Sequence, residues 1–338
     1  MVDATHISFA ASDRSYFSLI KKEIHQRAIS AGFSVARVNQ LDLIVAEMTS
    51  NLFKYADQGE ILLGVFENGG SPYIELISID NGPGIANPSR MMQDGVSTTN
   101  TMGHGLGSMK RLSDKFELYS VLGWGTVVLS RLYEDEAEAK RKKTIAIHPL
   151  VLSKPGEQTS GDGMYYKQTS KYLKLMLADG LGHGPEANLA ANKAAEAFAE
   201  CKEFSPSETI RHVHREIKKS RGAVMNIICY EPVSNQWTTA GVGNIMVRFS
   251  GPVQSKNHMS YNGIVGHNIP TTINDQQYDS SLFNMAILCS DGIKTRWELS
   301  KYPQINKYDP TILCAALYKD QARRTDDMSI VIIKTTNR

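Results

Sequence analysis

Apolar positions recur at helical spacing from Tyr16 to Ala31 and again from Arg37 to Tyr55. In the second stretch Leu41, Ile44, Val45, Met48, Leu52 and Phe53 fall on one broad side, so both stretches predict amphipathic helices. Strand patterns follow at Glu60–Glu67 and Tyr73–Asp80, separated by the turn residues Asn68-Gly-Gly-Ser71. A third helix is predicted to start near Gly105 and run to Lys115. Two more strands, Glu117–Val121 and Thr126–Tyr133, flank Leu122-Gly-Trp-Gly125. Helices followed by a run of strands predict a two-layer α/β sandwich.

The pattern then breaks. Glu134–Lys143 is all charge and alanine, a good helix former with no apolar face to bury. It reads as a linker, or as a solvated helix inside one domain. Strand-like Thr144–His148 lies beyond it, then a strand at Tyr172–Ala178 and helices at Glu186–Cys201 and Pro206–Lys219. Strands at Ala223–Glu231, Trp237–Gly241, Ile245–Ser250, Met285–Ser290 and Ser329–Thr335 complete the second half. This half predicts an α/β sandwich built around sheets. The chain has 338 residues, more than one core usually supports, and the expected division is 1–133, a linker at 134–144, and 145–338.

Composition narrows the function classes. The formal charge is only +2, from 37 Lys and Arg against 35 Asp and Glu, which argues against a dedicated nucleic-acid or polybasic membrane binder. The longest apolar stretches, such as Met285–Cys289, are far short of a membrane span, and the N-terminus lacks the features of a signal peptide. Cys201, Cys229, Cys289 and Cys314 stand far apart among apolar neighbours, as reduced core thiols do. The expectation is a cytoplasmic protein with neither nucleic acid nor membrane as partner.

Three segments of the first half carry chemistry. Glu47 and Asn51 stand at i and i+4, hence on one face of the second helix, where an amide can hold a divalent ion and a carboxylate can take a proton. Asp80-Asn-Gly-Pro-Gly84 ends a strand; the Asp can accept a hydrogen bond from an exocyclic amine, and Gly82 and Gly84 let backbone come close. Gly103-His-Gly-Leu-Gly107 opens a helix whose clustered N–H groups suit phosphates. Singly, each has a plain structural reading: a solvated helix face, an Asx turn, a glycine-rich loop.

In this order the segments resemble the GHKL ATP-binding fold over residues 6–133, including Gly125-Thr126 late in the domain. The short Gln93–Thr99 stretch resembles that of the RsbT-type anti-sigma-factor serine kinases. The resemblance implies ATP and Mg²⁺ as cofactors, with Asn51 as Mg²⁺ ligand and Glu47 activating the attacking serine. It further implies Asp80, Gly82, Gly84 and Thr126 at the adenine, and Gly103, Gly105, Leu106 and Gly107 over the phosphates. Lys54 either reaches the phosphates or is merely solvated.

In the second half, acidic residues stand at turns: Asp162, Asp179 and Asp291, each followed by glycine, and the pair Asp326-Asp327. One Asp-Gly is ordinarily a β-turn. Carboxylates brought together repel unless cations neutralise them, and hard oxygen ligands select Mg²⁺ or Mn²⁺. The four positions, with Ala178-Asp-Gly-Leu-Gly-His-Gly184, Ser160-Gly-Asp162 and Ala240–Ile245, resemble PPM-type Ser/Thr phosphatases, specifically the RsbX- and SpoIIE-like ones, over residues 146–335. The resemblance implies an α/β/β/α sandwich and two Mn²⁺ or Mg²⁺ ions. Catalytic Asp179 would bridge them, the Gly180 carbonyl, Asp291 and Asp326 would be ligands, and Asp162 would orient waters. Whether Asp326 or Asp327 is the ligand stays open, as do a phosphate-binding or a surface ion-pair role for Arg221 and a proton-donating or structural role for His183.

Together the resemblances imply a bifunctional protein-serine/threonine kinase and phosphatase. Its substrate would be a STAS-domain regulator in a bacterial stress or sigma-factor pathway, with a sigma factor or a downstream phosphatase as further partners. The alternative is an ATP-dependent module that sequesters its partner, fused to a PPM phosphatase.

Overall fold

The computed structural model describes residues 5–11, 13–56, 59–68, 71–91, 105–141 and 143–336. They form two compact units, one of Thr5–Lys142 with Leu299–Lys319, the other of Lys143–Glu298 with the stretch from Asp320.

In the N-terminal unit the elements run β1 His6–Ala10, α1 Phe17–Ser30, α2 Val35–Tyr55, β2 Gly59–Asn68 and β3 Ser71–Asp80. Then come α3 Pro88–Met91, α4 Gly105–Leu112, β4 Lys115–Val121, β5 Gly125–Tyr133 and α5 Glu136–Ala139. The strands form an antiparallel sheet in the order β1-β2-β3-β5-β4. Side chains alternate across a strand, and one sheet face carries Ile61, Leu63, Ile74, Leu76, Leu118, Val128 and Leu132. These pack with Ile20 and Ile24 of α1, Leu41, Ile44, Val45 and Met48 of α2, and Met109 of α4. That is the predicted sandwich.

The next elements are β6 Ile145–Leu152, β7 Asp162–Gln168, β8 Leu173–Gly180, α6 Pro185–Glu200, α7 Pro206–Glu216, β9 Ala223–Glu231 and β10 Gln236–Val242. They continue with β11 Met246–Ser250, β12 Ser255–His258, β13 Gln276–Asp279, β14 Met285–Cys289, α8 Pro310–Gln321 and β15 Met328–Thr335. Two sheets, β13-β10-β9-β8-β7 and β12-β11-β14-β15-β6, enclose a core of Leu175, Leu177, Ile228, Trp237, Phe249, Leu288 and Val331. Helices α6 and α7 lie on the first sheet through Ala194, Phe198, Ile210 and Val213. All four cysteines are buried.

The segment Leu299–Lys319 adds a layer that the sequence pattern does not predict. Its contacts fall on the second face of the N-terminal sheet. Arg131 Nη1 and Nη2 donate to Asp309 at 2.9 and 3.1 Å, and Tyr318 donates to Glu60 at 2.8 Å. The Asp309 N–H donates to Glu117 at 2.8 Å, and the Tyr308 and Tyr119 rings meet edge to face. Most of α8 is thus grouped with the N-terminal unit, where the Asp309–Arg131 pair ties its start to β5.

Candidate active sites

At the first site, α2 sets Glu47 and Asn51 on one face, both half-buried. The start of α4 comes against them: a Cβ on Gly105 would lie 2.6 Å from Glu47 Oε2 and 3.8 Å from Asn51 Oδ1. Asp80 closes β3, and its Oδ1 accepts the Gly82 N–H at 2.8 Å and the Thr126 N–H at 3.1 Å. Burial pushes the Asp80 carboxyl up, and these two N–H groups and the Lys319 charge offset part of the rise.

Close backbone approach explains the glycines. A Cβ at Gly84, whose φ is +76°, would collide with the Val121 carbonyl, and one at Gly125, at +117°, with the Asp80 carbonyl. Ser120, which motif reading passes over, ties the cradle together by accepting the Ile85 N–H at 2.8 Å and bonding Thr126 Oγ1 at 2.9 Å. Leu106 is half-buried and packs against the core of the unit, Gly107 is buried in α4, and Lys54 is exposed. Gly103 and the Gln93–Thr99 stretch lie outside the described residues.

At the second site, Asp162 and Asp179 are direct cross-strand neighbours on β7 and β8. Asp162 is 1% exposed, and its Oδ2 accepts the Ser290 and Ser329 hydroxyls at 2.6 and 2.8 Å. Burial outweighs the lowering by those hydroxyls and, with Asp327 and Asp291, leaves its pKa raised to about 7. Asp179 is pushed up to about 9, by burial first and then by Asp162, Asp291, Asp326 and Asp327. Four other carboxylates thus act on Asp179.

Asp291 Oδ2 accepts from Asn244 Nδ2 at 2.8 Å, a partner whose motif is quoted above but whose role only the fold reveals. Both Asp327 oxygens are taken, by the Lys154 N–H at 2.8 Å and the Gly161 N–H at 2.7 Å, so Asp327 is a latch between β15 and the loop before β7. Gly180 is packed so close to the start of α6 that a Cβ would strike the Ala187 carbonyl.

Among the described residues no three His, Cys, Asp or Glu side chains stand close enough together to hold a metal ion by themselves. The donor set still fits a hard divalent cation. Mg²⁺ is commonly held by one or two carboxylates with several waters retained, and the charge crowded around Asp179 calls for neutralisation. Arg221 pairs with Glu186 on the surface, and His183 Nδ1 meets Glu157 Oε1 at 3.1 Å, which favours the structural readings of both.

The histidine kinase-like ATPase domain family matches residues 10–131, and the stage II sporulation protein E (SpoIIE) family matches residues 169–336. The serine/threonine-protein kinase RsbT of Bacillus subtilis (strain 168) is 35% identical over 97 residues, covering 29% of this chain and 73% of RsbT. The chain belongs to the RsbT family.

The phosphoserine phosphatase RsbX of the same organism is 30% identical over 105 residues, 30% of this chain and about half, 51%, of RsbX. Among solved structures, one described as "The bacterial stressosome: a modular system that has been adapted to control secondary messenger signaling" aligns with a TM-score of 0.52 at 24% identity, over 57% of this chain and 100% of its own. RsbX in complex with magnesium aligns at 0.50 and 20% identity, over 58% of this chain and 98% of its own. These last two establish the phosphatase-type fold. No described helix is long and apolar enough to cross a membrane.

Proposed function

We propose that the chain is a bifunctional protein-serine/threonine kinase and phosphatase acting on a STAS-domain regulator of a bacterial stress or sigma-factor pathway. The observation that carries this is the presence, in one RsbT-family chain, of two differently built sites: Glu47 and Asn51 against Gly105 on one unit, and on the other Asp179 beside Asp162 with the charges of Asp291, Asp326 and Asp327 acting on it.

On the kinase side, phosphoryl transfer asks mainly for positioning and charge neutralisation. Asp80 spends Oδ1 on its own loop, which leaves Oδ2 to accept the adenine amine. Asn51 would hold Mg²⁺, Glu47 takes the serine hydroxyl proton, and the N–H groups opening α4 receive phosphate oxygens. On the phosphatase side, Asp179, the Gly180 carbonyl, Asp291 and Asp326 would hold Mn²⁺ or Mg²⁺, with Asp162 orienting water. Such cations supply Lewis-acid activation of water toward phosphorus. Asp327 keeps the loops in register.

The test incubates the purified chain with ATP, Mg²⁺ and candidate STAS-domain proteins, following phosphate incorporation. Transfer is expected and is lost in Glu47→Ala while nucleotide binding survives. Measured ATP binding without transfer to any candidate rejects the kinase half, and regulation left intact in Glu47→Ala favours sequestration. Mn²⁺-dependent release from the phosphorylated substrate is expected to vanish in Asp179→Asn. Release that persists there rejects the metal assignment.

A further inference from the structure

Leu299–Lys319 interrupts the phosphatase half of the sequence yet packs in the nucleotide unit. Its aromatic and cationic groups converge on Trp124. The Tyr302 ring meets Trp124 edge to face with centroids 6.1 Å apart, and Lys319 Nζ stands 4.5 Å from the Trp124 centroid. A cation over an indole face is a favourable, geometry-sensitive contact.

Trp124 belongs to the Leu122–Gly125 turn between β4 and β5. That turn is bound to the Asp80 loop. Gly123 N–H donates to the Pro83 carbonyl at 2.9 Å, and backbone crowding at Gly84 and Gly125 holds Val121 against one side of the loop and Asp80 against the turn. One turn therefore touches the adenine-reading loop on one side and the Leu299–Lys319 segment on the other.

The same segment is bounded in the chain by the metal-site aspartates. It follows Asp291 and precedes Asp326, and its two exits are fastened together. Lys294 N–H donates to the Gln321 carbonyl at 2.9 Å, and Arg323 N–H to the Gly292 carbonyl at 2.8 Å. Arg323 Nε also donates to the Asp291 carbonyl at 2.8 Å. Lys319 and Gln321 lie on the same helix, α8, so the segment and this stalk share one hydrogen-bonded backbone.

We propose that nucleotide occupancy of the Asp80 cradle and divalent-cation occupancy of the Asp179 site are thermodynamically linked through Leu299–Lys319, with Lys319 and Trp124 as positioning residues. The linkage rests on the functional reading above and extends it: the nucleotide state of the kinase sets the cation affinity of the phosphatase. Linkage is reciprocal, so cation binding alters nucleotide affinity by the same factor.

The full chain is used for the test. ADP affinity is measured by titration calorimetry in excess Mg²⁺ for the wild type and for Asp179→Asn. The Mn²⁺ concentration giving half-maximal hydrolysis of p-nitrophenyl phosphate is measured with and without saturating ADP. Both quantities are expected to shift about fivefold or more. In Lys319→Met, which keeps an unbranched side chain at the position, ADP binding and nucleotide-free hydrolysis persist but both shifts vanish. Trp124→Phe is a second variant with the same expectation. ADP binding and hydrolysis without any shift overturn the linkage and leave the functional reading standing, as does a full shift retained in both variants. A chain that binds no ADP overturns both.

Discussion

At the scale of single residues, Glu75 is fully enclosed and still charged. Burial pushes its carboxyl up, but Arg131 and His6 more than offset that and hold the pKa below the usual glutamate range. The folded state therefore binds the proton less tightly than the unfolded chain. This contribution to stability is fully present above about pH 4.4 and is lost as pH falls through the depressed value. Glu75→Gln should be clearly less stable at neutral pH, and its deficit against wild type should hold down to about pH 4.4 and shrink only below it. Denaturant titrations on both sides of that pH check this, and a deficit that stays constant rules it out.

Candidate site residues were legible where the chemistry is local. Asp80 with Gly82 and Gly84, and Asp179 with Gly180, are short strings whose order carries information. Ser120, Asn244, Ser290 and Ser329 were not, because a serine or asparagine gains its role only from the acid or N–H that the fold brings to it.

At the scale of elements, periodicity found α1, α2 and α4 because each buries one side and leaves another in water. It found β3, β5 and β9 from β-branched and apolar runs. It missed α8. From Ile312 to Tyr318 every side chain is buried, so no polar stripe marks a helical period, and a short apolar run does not distinguish helix from strand. The short β1 and β12 gave too few alternations to read. What fixes α8 is its start. Asp309 Oδ1 accepts the Thr311 N–H at 2.9 Å, and the same carboxylate receives Arg131 and Lys115. Asp309→Ala removes a cap and takes from the buried Arg131 guanidinium one of its two carboxylates, so it should cost about 3–5 kcal/mol. The triple variant Glu75→Gln, Arg131→Met, Asp309→Leu leaves none of these three buried charges and should recover a large part of that loss. Equilibrium unfolding of both decides it: a triple variant as unstable as the single one would show that the charge balance of the cluster is not what matters.

At the scale of the whole chain, the compositional break at Glu134–Lys143 suggests a clean cut between modules, but the packing follows another rule. The nucleotide sheet has two buried faces. One takes α1, α2 and α4, and the other carries Leu62, Ile77, Val127, Leu129, Glu75 and Arg131, all under one-tenth exposed. A fragment ending at residue 142 keeps the first set of partners and loses Tyr302, Tyr308, Asp309 and Tyr318 from the second. Its apolar residues would then meet water at roughly 25 cal/mol per Å² exposed, and Arg131 and Glu75 would lose their enclosing layer. The fragment should self-associate and unfold at a lower temperature than the same fragment carrying 299–319 on a flexible linker. Light scattering and thermal melts of the two side by side measure this. Equal melting temperatures and equal monodispersity would mean that the segment merely rests on the sheet, since a layer that completes a core cannot be removed without a loss in stability.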